Sequence, residues 1–139
     1  MALSLGSDAR AASLDGFDGF VNTGAGTATL TVYQTNTSLA VFNLNSTAFG
    51  AAVAGSLALA SVPISSTGTE VAGKANRFVI VSRDSDTCLS GTIGAIGSGA
   101  DIETENLTVT AALTQTLNSF VLRMASDGSL SVEASLTLV

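Results

Sequence analysis

An all-β fold, either an antiparallel β-sandwich or a jelly-roll-like barrel of about eight strands with one short N-terminal helix, is predicted by three features of the chain. Apolar and polar residues alternate with a period of two over most of the sequence after residue 27. Clusters of Gly, Asn, Asp and Ser interrupt that alternation at intervals of about 8 to 12 residues, the spacing of turns between short strands. The length, 139 residues, suits one hydrophobic core. Residues 1–13 are expected to form an N-terminal arm and residues 14–139 a single sandwich domain.

The one helical pattern covers Ala9 to Asn22, where Leu14, Phe17, Phe20 and Val21 recur at spacings of three and four after a candidate cap at Ser7 or Asp8. Gly16 and Gly19 weaken it, and Gly24 and Gly26 end it. Strands follow. Ala28, Leu30 and Val32 alternate with Thr29, Thr31 and Tyr33, and a second apolar run spans Leu39 to Leu44. Thr47 to Gly55 is rich in small residues and reads as a loop that plugs Phe49 into the core. Leu57, Leu59 and Val62 alternate up to Pro63, which suits a strand reaching a sheet edge.

Arg77 to Ser82 is a continuous β-branched and aromatic run, the pattern of a strand covered on both faces, and is the predicted central strand. Asp84 to Thr87 is a polar turn whose short side chains can bond their own backbone, so residues 76–94 form a predicted hairpin. Gly94, Gly97 and Gly99 open a loop. Leu107 to Leu113, Phe120 to Met124 and Leu130 to Leu138 alternate as three further strands, joined by Thr114 to Ser119 and by the tight turn Ser126 to Ser129. The last strand runs to Val139 with little charge to protect its edge, so it is expected to be paired.

Charged residues are 12% of the chain, about half the usual share, and Ser, Thr, Asn and Gly take their place on the surface. Such a surface suits packed contacts with neighbouring chains. Five basic residues (Arg10, Lys74, Arg77, Arg83, Arg123) face eleven acidic ones for a net charge of −6, which argues against a nucleic-acid partner. No apolar run is long enough for a membrane-spanning helix. The start of the chain, Met1 to Gly6, lacks the basic region and apolar core of a secretion signal, so synthesis in a cytoplasm is expected.

Catalytic apparatus is not expected. The chain has no His, which removes the commonest general base and metal ligand. Cys88, the single cysteine, lies in an apolar strand context and reads as a small core residue in preference to a nucleophile. Asp101, Glu103 and Glu105 alternate and would share one face of an extended segment; a Ca²⁺ site is conceivable chemically, but a solvated face or a contact with a basic partner is the simpler reading. Gly94, Gly97 and Gly99 resemble a phosphate-binding loop only superficially, because the carboxylates that follow would repel phosphate and no helix is predicted there. No catalytic, cofactor or metal residues are therefore assigned.

The order of local motifs resembles a family of small structural proteins of tailed phages and prophages, of the capsid cement or decoration type. The resemblance is carried by Leu30-Thr-Val-Tyr33, Ala48-Phe-Gly-Ala-Ala52 followed by Gly55, Gly73-Lys-Ala75 leading to Arg77-Phe78, Arg83-Asp-Ser-Asp86, and Gly91-Thr-Ile-Gly94 before Gly99-Ala-Asp-Ile102. It spans residues 10 to about 124. The chain departs from the family in Tyr33-Gln-Thr-Asn36 and in the added segment Ser129 to Val139.

The resemblance implies a non-enzymatic virion protein. A small, acidic, Ser/Thr-rich β-sandwich suits a capsid cement or decoration protein, expected to be made in the host cytoplasm and located on the capsid surface, with the major capsid protein and copies of itself, as a homotrimer, for partners. Its alternatives are a head–tail junction or tail component and a host-surface or carbohydrate-binding module; the last usually needs aromatic platforms, and this chain has no Trp and one Tyr. Leu3, Leu5 and Phe17 near one end and Leu136 and Leu138 near the other are the candidate partner contacts, as apolar residues with the least domain around them.

Overall fold

The computed structural model describes residues 3–139. Helix α1, Ser7–Val21, opens the fold. Gly6 is its N-cap and no side chain caps it, so the expected cap at Ser7 or Asp8 is displaced by one or two residues and Asp8 instead lies in the first turn, where a carboxylate favours the positive end of the helix dipole. The helical segment thus includes residues 7–13, which had been expected to form an arm. Leu14 and Val21 are buried and Phe17 packs on the core, whereas Phe20, expected on the same face, is exposed.

Strands β1 (Thr29–Gln34), β2 (Thr37–Asn43), β6 (Arg77–Val81), β7 (Thr87–Ala95) and β8 (Ile102–Thr104) form a five-stranded sheet in the order β2-β1-β6-β7-β8. The Arg77 run stands at its centre, and Phe78, Val79 and Ile80 are buried in succession, as a strand covered on both faces requires. β6 and β7 form the expected hairpin. At the edge, β8 pairs parallel with the end of β7, Ile93 opposite Ile102. Gly91 lies opposite Phe78, and a Cβ there would stand 2.6 Å from the Phe78 ring, so glycine is what admits the aromatic ring.

The second sheet holds β3 (Ser56–Ala58), β10 (Thr116–Met124) and β11 (Leu130–Thr137), with β4 (Ile64–Ser65) also pairing β10. β5 (Gly73–Lys74) and β9 (Thr108–Val109) make a two-residue ladder beside the sheets. The predicted strand Leu107 to Leu113 shrinks to β9, because Ala112 takes a positive φ of 65° and the chain turns, leaving Leu113 exposed. Thr114 to Ser119, predicted as a connector, largely belongs to β10. The tight turn before β11 is as expected: Gly128 has a φ of 86° and Asp127 accepts from the Ser129 N–H at 2.9 Å.

Among the described residues the architecture is an all-β sandwich with a short N-terminal helix and no closed barrel, and eight of the eleven strands there have three or more residues. Leu30, Val32, Phe42 and Ile80 of one sheet and Leu57, Leu117, Leu122 and Leu136 of the other form one buried cluster. Four phenylalanines cross it edge to face: Phe17 of α1 meets Phe49 at 5.8 Å, Phe49 meets Phe120 of β10 at 6.2 Å, and Phe120 meets Phe78 of β6 at 5.9 Å between ring centroids. The plug role read for Phe49 is therefore its observed place.

Candidate functional site

Groups able to do chemistry are mostly spent on holding the backbone. Two side chains of α1 and its C-cap residue, spaced so that they share one face, accept N–H groups of the loop that carries Phe49. Asn22 Oδ1 takes the Ala48 N–H at 3.1 Å, Asp18 Oδ1 the Phe49 N–H at 3.3 Å, and Asp15 Oδ1 the Ala52 N–H at 2.9 Å. Burial pushes the Asp18 carboxyl above its ordinary value, against the pull of the Phe49 N–H and the Asn22 amide. The spacing of these acceptors was visible in the sequence, but their partners lie in a loop that the sequence does not tie to the helix.

The alternating carboxylates are likewise structural. Asp101 Oδ2 accepts from the Thr92 N–H at 2.8 Å and its hydroxyl at 3.1 Å, and Glu103 Oε2 accepts from the Gly99 N–H at 2.8 Å. Among the described residues no group of three His, Cys, Asp or Glu side chains is placed to hold a metal ion. Gly97 and Gly99 take φ values of 88° and 80° and lead into strand β8, which is loop geometry with no helix to face a phosphate.

The turn at Asp84 to Asp86 is organised by a residue not singled out, Ser82, whose Oγ accepts the N–H groups of both. Cys88 is half-buried against the core; burial first, then the nearby Asp86 charge, push its thiol up and away from reactivity at neutral pH.

The candidate partner contacts fall into two groups. Leu3 is 93% exposed and Leu5 40%, and the Leu5 N–H bonds to Ser126 O, which lays this segment on the β10–β11 turn near Gly128. These form an uncovered apolar projection. Phe17, by contrast, is engaged with Phe49, and Leu136 and Leu138 are buried within their own chain, which corrects the expectation that the C-terminal end is uncovered. Its cover comes from residues 104–106: Thr104 Oγ1 donates to Leu136 O at 2.9 Å and Asn106 Nδ2 to Leu138 O at 2.7 Å. An open groove of ≈ 320 Å³ remains between these segments, with Ile96 at its rim. Buried Gln115 binds Val139 in the same way, through its own amide.

No helix among the described residues is long and apolar enough to cross a membrane. The one tyrosine, Tyr33, lies under the Arg77 guanidinium, 4.6 Å from ring centroid to Cζ. Comparison with known proteins returned no matching family model, no matching curated protein and no matching solved structure.

Proposed function

We propose that the chain is a non-enzymatic structural protein of a tailed-phage particle, a capsid decoration protein that binds the outer surface of the major capsid protein shell as a homotrimer and adds contacts between its subunits. The observation that supports this reading best is the exposure of Leu3 and Leu5 on the segment that rests against the β10–β11 turn, apolar side chains suited to insertion into a partner. The resemblance of the motif order to that of small phage structural proteins supports it too, as does the commitment of Asp15, Asp18, Asp101 and Glu103 to backbone bonds. A symmetric assembly sums modest contacts into a firm hold.

Light scattering on the purified protein, followed by its copy number in purified particles, tests the reading. A trimer present in many copies, with particles that lose heat resistance when the protein is absent, is the expected result. Rings of about six or twelve subunits at one vertex would move the protein to the head–tail junction or tail, and unchanged heat resistance would overturn the cement role.

A further inference from the structure

Two of the five basic residues converge on one pocket. Arg10, from the second turn of α1, and Arg123, from β10, line an open depression of ≈ 330 Å³ together with Gly55, Ser56, Met124 and Ser131. Each guanidinium carries five N–H donors. Arg123 spends three: Nε and Nη2 on Glu133 Oε2 at 3.1 and 2.9 Å, and Nη1 on Ser56 Oγ at 2.8 Å. Arg10 spends one, a long bond of 3.4 Å from Nη1 to Met124 O, and its buried Nε finds no acceptor among the described residues. The buried Nε is closed to any ligand, but Arg10 Nη2 also has no acceptor among the described residues, and the natural counterpart of an unspent guanidinium edge is an anionic oxygen.

We propose that this pocket binds a carboxylate side chain presented by a neighbouring protein chain. The local charge selects the ligand: two guanidinium groups against the Glu133 carboxylate leave one net positive charge, which a monoanion neutralises. The net charge of −6 on the whole chain disfavours a polyanion at the same place. Gly55 leaves room for Arg10, since a Cβ there would stand 2.8 Å from Arg10 Nη1 and 2.6 Å from Met124 O. Met124 and Ala125 lead directly into the turn on which Leu5 rests, so the partner segment is expected to set an acidic residue beside apolar ones. The pocket does not depend on the decoration reading, because carboxylate binding is measured on the isolated protein.

The test is a titration of the full chain with acetate, with a short peptide carrying one glutamate between leucines, and with inorganic phosphate, each followed by the NMR signals of the Arg10 and Arg123 Nε–H groups. Saturable shifts of Arg10 Nε–H with both carboxylate probes are expected, the peptide binding more tightly than acetate. Arg123→Gln, whose side chain is half-exposed and removable without disturbing the core, should weaken binding about tenfold, and Arg10→Lys should do so while keeping the charge. Arg83→Gln, at a distant turn, should change nothing. Absence of a saturable shift, tighter binding of phosphate than of the peptide, or equal binding by Arg123→Gln would overturn the assignment.

Discussion

The Val139 N–H donates to Gln115 Oε1 at 2.6 Å, and Gln115 Nε2 donates back to the Val139 carbonyl oxygen at 3.1 Å, so one buried side-chain amide serves the last described residue as a neighbouring strand would. The Thr110 N–H meets the same carbonyl at 2.8 Å. Gln115→Leu keeps the volume and removes both bonds, together with the Nε2 bond to Leu113 O at 2.7 Å, so the Val139 N–H loses its partner while its carbonyl keeps Thr110, at a cost of about 1 kcal/mol. Hydrogen exchange of the Val139 and Thr110 amides should quicken most, and unchanged exchange at both would refute the clamp.

Phe49 is the middle of the aromatic chain from Phe17 to Phe78, and truncation leaves a cavity among three elements. Phe49→Ala should lower unfolding free energy by about 3–5 kcal/mol, read from urea denaturation, with Phe49→Leu costing less. A loss for Phe49→Ala below about 1 kcal/mol would show that the loop collapses onto the space without penalty.

Asp18 titrates in the direction set by burial. Its folded form sits above the ordinary value of 3.8, so its contribution to stability is fully present below that pH and is lost as pH rises through the folded value. Asp18→Asn keeps an acceptor for the Phe49 N–H and removes the buried charge. The variant should therefore gain on the native chain as pH rises from 3.8 towards neutrality, in melting temperatures taken across that range. A relative gain by the native chain over the same range would contradict the assignment.

Glu70 behaves oppositely. The Ser66 hydroxyl, with help from the Gly68 N–H, holds its carboxyl below the ordinary value of 4.5, so its contribution is present above that pH and disappears as pH falls through the lower folded value. Because Ser66 Oγ also accepts the Gln115 N–H at 2.9 Å, Ser66→Ala should disturb both partners, whereas Glu70→Gln should destabilise at neutral pH and converge with the native chain in acid. A deficit of Glu70→Gln that stayed constant into acid would rule out the carboxylate as its source.

Much of the sandwich was legible in the sequence because both strand signals are local: β1, β10 and β11 lie where apolar residues repeat every second position, and β2 and β6 where the apolar run is continuous. The Leu107 to Leu113 alternation misled because a single left-handed residue, Ala112, outweighs it, and no residue type there announces that conformation. Phe20 misled because spacing defines a helical stripe but not its width. The candidate site was half legible. Leu3 and Leu5 stay exposed as their position suggests, but Leu136 and Leu138 are covered by side chains 32 positions earlier, a contact that no window on the sequence contains. Arg10 and Arg123 meet for the same reason, through tertiary packing between the helix and the far end of β10.

The capture of the Leu136 and Leu138 carbonyls by Thr104 and Asn106 has a colloidal consequence. With charged residues only 12% of the chain, few side chains are available to guard a sheet edge by charge. Two hydroxyl- and amide-bearing side chains act as stoppers here, occupying two acceptors that a foreign strand would need to extend the sheet, at an edge that lysines would usually guard.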